Sequence, residues 1–159
     1  MIALTVGIGG LEVSGDAAAV LVTHGLGSCI AVIAHDRVRR VGGLLHFQLP
    51  TSLLSPARAE ATPGVFADTG IPLLFERMYA LGARKPDIVV KAAGGGNFHG
   101  DEGTFDIGRR NHTVMRKIFW KANVLVTAED VGGNRSRTVR LFVDTGQVTV
   151  QSGSAVTAL

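Results

Sequence analysis

The feature that most constrains this chain is the alternation of short, β-branched apolar runs with glycine. Of its 159 residues 21 are Gly, and most lie between runs such as Ile30-Ala31-Val32-Ile33-Ala34 and Val41-Gly42-Gly43-Leu44-Leu45. Runs of that length with turn-forming punctuation read as short strands joined by tight turns. The spacing predicts strands over 6–13 and 18–22, split by Ser14-Gly15-Asp16. Residues 29–34 predict a buried strand ended by His35-Asp36, with a buried helical segment as the rival reading of so short a run. Further strands are predicted at 41–49, at 87–93 before Gly94-Gly95-Gly96-Asn97, and at 124–128. A hairpin joins 138–143 to 147–150 through Asp144-Thr145-Gly146. Helical spacing appears twice: at 68–82, through Ile71, Leu74, Phe75, Met78 and Leu81, and from 107 or 108 to 122, through Val114, Ile118 and Phe119. Residues 51–66, rich in Ala, Pro, Ser and Thr, read as a long surface loop. The fold class expected is α+β, a layered α/β sandwich with mixed β-sheets and two main helices.

A hydrophobic share of 46% against 18% charged residues describes a packed globule, and the length suits one domain over 1–159. The lone cysteine forms no internal disulfide, which suits a reducing compartment. The start, Met1-Ile2-Ala3-Leu4-Thr5-Val6-Gly7, has neither a basic n-region nor a continuous apolar h-region. No apolar run approaches the roughly 18 residues of a membrane span. A cytoplasmic protein without membrane insertion is expected. The net charge is +3, but Arg37, Arg39, Arg40, Arg109, Arg110, Arg135, Arg137 and Arg140 are scattered, and aromatics make up only 6%. That pattern argues against nucleic acid and in favour of an acidic protein partner.

Chemistry concentrates in two segments. Thr23-His24-Gly25-Leu26-Gly27-Ser28-Cys29 sets the only thiol behind a glycine-serine loop, and Val41-Gly42-Gly43-Leu44-Leu45-His46-Phe47-Gln48-Leu49-Pro50 carries an imidazole on an apolar strand. Taken alone, Cys29 reads as a small buried hydrophobe and His46 as a satisfied core histidine. Brought together they make a nucleophile and its base, and a neighbouring imidazole is expected to raise the thiolate fraction and reactivity of Cys29. Backbone amides of the Gly27-Ser28 loop can supply an oxyanion hole. Thr23 either orients the second imidazole nitrogen or simply ends a strand. Gln48 and Asn97 are candidate contacts for an incoming amide, His24 for the entrance, and Arg109-Arg110 reads as a solvated face. His24, His35, His46, His99 and His112 lack metal-ligand spacing, and the Gly94-Gly95-Gly96 run lacks the lysine-serine/threonine pair of a phosphate loop, so no metal or cofactor is expected.

The two segments resemble those around the nucleophile and histidine of the chemoreceptor glutamine deamidases, the CheD family. The six-residue step from Thr23 to Cys29 and the seventeen-residue step from Cys29 to His46 are similar to that family's spacing. Further blocks agree: Ala67-Asp68, Met78 with Gly82-Ala83, Ile107-Gly108-Arg109-Arg110-Asn111, and Asp130-Val131-Gly132-Gly133. Ala93 and the Arg135-Ser136-Arg137 segment depart from it. The resemblance implies the layered fold shared with cytotoxic necrotizing factor catalytic domains. It also implies conversion of receptor glutamine to glutamate through a cysteine thioester, with Cys29 as nucleophile, His46 as base and acid, and Thr23 as the orienting group. Implied partners are the cytoplasmic domains of methyl-accepting chemoreceptors and the phosphatase CheC. Methyl-ester hydrolysis is a further implied activity, and a non-catalytic regulatory partner of CheC is the alternative function.

Overall fold

Two five-stranded sheets lie face to face, and helices cover the outer face of the second. The computed structural model describes residues 1–98 and 106–159, so His99 falls outside the described residues. The first sheet has the order β1 (Ile2–Thr5), β3 (Ala19–Leu26), β8 (Arg137–Phe142), β9 (Val148–Ser152), β10 (Ala155–Ala158). The second has the order β2 (Leu11–Ser14), β5 (Val41–Phe47), β4 (Ile30–Asp36), β6 (Ile88–Gly94), β7 (Val126–Val131). β1 runs parallel to β3 and β6 parallel to β7, while every other pairing is antiparallel, so both sheets are mixed. The helices are α1 (Pro56–Ala61), α2 (Ala67–Ala80) and α3 (Ile107–Lys121).

The second sheet is apolar on both faces, which is why β4 reads as an unbroken apolar run rather than an alternating one. Ile30, Val32 and Ala34 face α2 and α3 and pack with Leu74, Met78, Met115 and Phe119. Cys29, Ala31 and Ile33 face the first sheet and pack with Leu21, Leu26, Val139 and Leu141. β5 follows the same alternation. A side chain at Gly43 would meet Leu74 at 2.7 Å and Met78 at 2.9 Å, whereas one at Gly42 would meet Leu141 at 3.0 Å. Gly43 therefore lets α2 lie directly on the sheet, and His46, three residues on, belongs with Gly42 and Leu44 on the face between the sheets.

The α+β layering, both main helices and the central strands agree with the sequence reading. Two expectations need correction, and one strand was not anticipated. Residues 6–13 are not one strand: β1 and β2 belong to different sheets, and the chain crosses between them at Gly7–Gly10, with Gly9 at φ 73°. Residues 51–66 are not a structureless loop. Thr51 caps a 3-10 turn at Ser52–Leu54, Pro56 opens α1 at its first turn, and Ala59, Val65 and Phe66 form a small core of their own. β10 was not expected, because its four residues are all exposed and carry no buried stripe.

Candidate active site

Register brings the sulfur and the imidazole to one face. β4 and β5 pair Ile30 with Phe47 and Ala31 with His46. Cys29, one residue before β4, is then the diagonal neighbour of His46. Diagonal neighbours on one face of an antiparallel pair lie about 7–8 Å apart between backbones, within reach of a histidine side chain. Cys29 is 8% exposed and His46 1%.

The third member comes from the opposite sheet. Thr23 on β3 is fully buried, and its Oγ1 lies 2.7 Å from His46 Nδ1 and 2.6 Å from the carbonyl oxygen of Val6. A carbonyl only accepts, so the single hydroxyl proton of Thr23 goes to Val6 and the hydroxyl oxygen accepts from His46 Nδ1–H. That fixes the tautomer. Nε2 carries a lone pair, is buried, and has no hydrogen-bond partner among the described residues. The main chain of His46 is locked as well, its carbonyl accepting from Gly9 N–H at 2.8 Å and its N–H donating to the Gly10 carbonyl at 3.1 Å. The glycine crossover between β1 and β2 thus holds the imidazole-bearing residue in place from behind.

Burial sets the charge state of the pair. It pushes the Cys29 thiol above its ordinary value, an effect only partly offset by the backbone N–H of Cys29 itself. It lowers His46 to about 4. The thiolate fraction expected to be raised by a neighbouring imidazole is instead held down by burial, so the two groups rest as a neutral thiol and a neutral imidazole. At neutral pH such an imidazole is already unprotonated and free to accept a proton.

The loop ahead of Cys29 is tied down by its carbonyls. Gly27 accepts from Gly96 N–H at 2.9 Å, and Cys29 accepts from Gly95 N–H at 2.8 Å. Ser28 accepts from the amide nitrogen of Asn111 at 3.0 Å. The backbone N–H groups of Ser28 and Cys29 have no carbonyl acceptor among the described residues. The Gly94-Gly95-Gly96 run is the bed of the loop that carries Cys29. A Cβ at Gly94 would strike the Cys29 carbonyl, and one at Gly108 in α3 would strike the Gly95 and Gly96 carbonyls. Buried Arg137 fastens this bed from below, donating to the Gly132 carbonyl at 2.6 Å, Asp130 at 3.2 Å and the Gly94 carbonyl at 3.3 Å.

The other residues singled out from the sequence have partners of their own. His24 is exposed beside Thr138, and buried His35 donates from Nε2 to the Val143 carbonyl at 2.8 Å. His112 pairs with Glu129. Gln48 accepts from Arg58, Asn97 N–H donates to the Gly133 carbonyl, Arg109 pairs with Asp106, and Arg110 is exposed. Among the described residues no three His, Cys, Asp or Glu side chains could share a metal ion. No helix among them is long and apolar enough to cross a membrane. Sequence reasoning missed Val6, Asn111 and Arg137. Asn111 and Arg137 left one signal, a polar side chain inside an otherwise informative block, but what each binds depends on contacts far along the chain.

The chain matches known proteins along nearly its whole length. The model of a family described as CheD chemotactic sensory transduction matches residues 48–152. The chain is 67% identical over 156 residues to a protein of Anaeromyxobacter dehalogenans (strain 2CP-C) named probable chemoreceptor glutamine deamidase CheD 2, covering 98% of each chain. It is 52% identical over 147 residues to the probable chemoreceptor glutamine deamidase CheD 1 of Syntrophus aciditrophicus (strain SB), covering 92% of each. A similar protein of Solibacter usitatus (strain Ellin6076), named probable chemoreceptor glutamine deamidase CheD, is 43% identical over 148 residues, 93% of this chain and 88% of that one. The family-model match begins beyond Thr23, Cys29 and His46, so likeness across the site rests on these relatives.

Proposed function

The chain belongs to the CheD family, and from that membership we propose that it is a chemoreceptor glutamine deamidase using Cys29, His46 and Thr23. The observation that carries the assignment of roles is the Thr23–His46 couple. It leaves an unprotonated, partnerless Nε2 on the face that Cys29 shares.

In the proposed reaction the Cys29 sulfur attacks the side-chain amide carbon of a receptor glutamine while His46 Nε2 takes the thiol proton. The carbonyl oxygen becomes an oxyanion facing the N–H groups of the Gly27-Ser28-Cys29 loop. As the C–N bond breaks, His46 returns its proton to the leaving nitrogen, and ammonia departs from a thioester. A water molecule then attacks the thioester, again losing its proton to Nε2. The C–S bond breaks, the sulfur regains a proton, and glutamate is left. Thr23 keeps the Nδ1–H tautomer throughout and spreads the charge of the transient imidazolium to the Val6 carbonyl. The substrate segment belongs to the cytoplasmic domain of a methyl-accepting chemoreceptor, which places the enzyme in the cytoplasm. CheC is its further partner in adaptation.

Incubation with a receptor cytoplasmic fragment, followed by peptide mass spectrometry, tests the reading. Wild type converts particular glutamines to glutamate, and Cys29→Ala converts none. Unchanged glutamines with wild type, or equal conversion by the two proteins, defeat the catalytic assignment. If Cys29→Ser still binds CheC while converting no receptor glutamine, binding and catalysis are separate tasks of the same chain.

A further inference from the structure

We propose that Asn111 is a positioning residue that aims the peptide N–H of Cys29 at the oxygen on which charge develops. The inference rests on the deamidase reading above and names a part of the site outside the Cys-His-Thr set.

Asn111 is fully buried on the inner face of α3. Its amide nitrogen donates to the Ser28 carbonyl at 3.0 Å and to the Gln48 carbonyl at 2.9 Å. Both partners are carbonyl oxygens, so the orientation of the amide is forced rather than chosen. Ser28 precedes the nucleophile, and by the β4–β5 register Gln48 lies opposite it. One side chain therefore clamps both strands at the level of Cys29.

The consequence follows from peptide geometry. In a trans peptide the C=O and the N–H point in opposite directions. Holding the Ser28 C=O toward α3 turns the Cys29 N–H away from α3, toward the first sheet, the side on which the sulfur and His46 lie. The carbonyls on either side are held by Gly96 and Gly95 N–H groups, so the loop cannot roll about its axis. Of these three clamps only the one at Ser28 is a side chain.

Asn111 is also a poor choice for stability alone. Its Oδ1 is buried with no partner among the described residues, and a buried acceptor without a donor is costly. An apolar residue would fill the same space without that penalty but could not hold two carbonyls.

The test compares two reactions of the same sulfur in the full-length protein. Deamidation passes through an oxyanion, whereas alkylation of Cys29 by iodoacetamide, a displacement at a saturated carbon, does not. Asn111→Asp keeps the shape and removes the donor, and Asn111→Ala removes both. For each, kcat on a receptor fragment is expected to fall about 10- to 100-fold, toward the loss seen when an oxyanion donor is deleted, while KM stays within about twofold. Alkylation is expected to change by less than about threefold. Asn111→Ser, with one hydroxyl donor, recovers part of the loss and stands in if the Asp variant does not fold. Wild-type kcat in the Ala and Asp variants overturns the proposal, and so does a parallel fall in deamidation and alkylation. If wild type itself deamidates nothing, the deamidase reading falls and this one with it, whereas an active wild type isolates the role of Asn111.

Discussion

Replacing Thr23 by Val probes the hinge of the account, because valine has nearly the shape of threonine and lacks only the hydroxyl. In the folded protein that hydroxyl joins two buried groups, the Val6 carbonyl at 2.6 Å and His46 Nδ1 at 2.7 Å. The substitution orphans both. A buried group left without its partner costs about 1–3 kcal/mol, so Thr23→Val, which orphans two, should lose about 2–6 kcal/mol of stability. For a chain of this length each kcal/mol lowers Tm by about 2–4 °C, which puts the expected drop at about 4–24 °C. The catalytic loss has a separate origin. One neutral hydrogen bond, worth about 1 kcal/mol net, selects the Nδ1–H tautomer, so its removal lets the unreactive tautomer compete and lowers kcat about fivefold to tenfold. Thr23→Ser keeps the hydroxyl and should stay within about threefold of wild-type kcat, since only a methyl group is lost. Nitrogen NMR of selectively labelled histidine reads the tautomer directly, and receptor-fragment deamidation reads kcat. An Nδ1–H tautomer and wild-type kcat in a folded Thr23→Val protein would refute the reasoning.

Three further outcomes follow from the same geometry. His46 is held at about 4, far below its ordinary 6.5, so the acid limb of kcat/KM should fall well under pH 6.5; a half-point near 6.5 contradicts a buried neutral base. The sign for stability agrees: the unfolded chain takes up a proton near pH 6.5 that the folded site refuses until about 4, so this contribution is present above 6.5 and is lost as pH falls toward 4, as acid-titrated melts should show. Gly94→Ala forces a Cβ onto the Cys29 carbonyl at a φ of 116°, and should cost about 1–3 kcal/mol or more in thermal melts while displacing the nucleophile loop; an unchanged Tm and kcat would remove Gly94 from the bed of the site. Burial pushes the Asp36 carboxyl up, but N–H donors from Val38, Arg39 and Arg84 with the Arg39 guanidinium outweigh it and hold the group at about 2. Asp36→Asn should therefore lower Tm by about 3–10 °C at neutral pH, through loss of charge-assisted bonds worth about 1.5–3 kcal/mol, and the gap to wild type should close only as pH falls from about 4 to about 2.

What the sequence made legible depended on how local the cause was. β4 and β5 were readable because a strand buried on both faces needs apolar residues at every position, and residues 30–34 and 44–45 supply them. α2 was readable from Ile71, Leu74, Phe75 and Met78, which face one core. The crossing at Gly7–Gly10 was hidden because Val6 and Val13 flank it with strand-like residues, although three glycines in four positions were its signal. β10 was invisible because main-chain pairing with β9 alone makes it a strand. Near Cys29, the lone thiol and the imidazole of His46 stood out by residue type, whereas Thr23, open to two readings, was singled out only through the family resemblance. Asn111 did not, since its partners lie 83 and 63 residues away and no local pattern records such a contact. The charge state of the pair was likewise out of reach, because burial, not composition, sets it.

The central claim, that receptor glutamine is carried through a bond to Cys29, is most directly tested by acid-quenching the reaction of wild type with a receptor peptide and weighing the protein intact. The account predicts a transient species whose mass equals protein plus peptide less ammonia, localised by proteolysis to the segment containing Cys29 and absent from Cys29→Ala. Steady deamidation with no such species at any quench time, retained in Cys29→Ala, would contradict it.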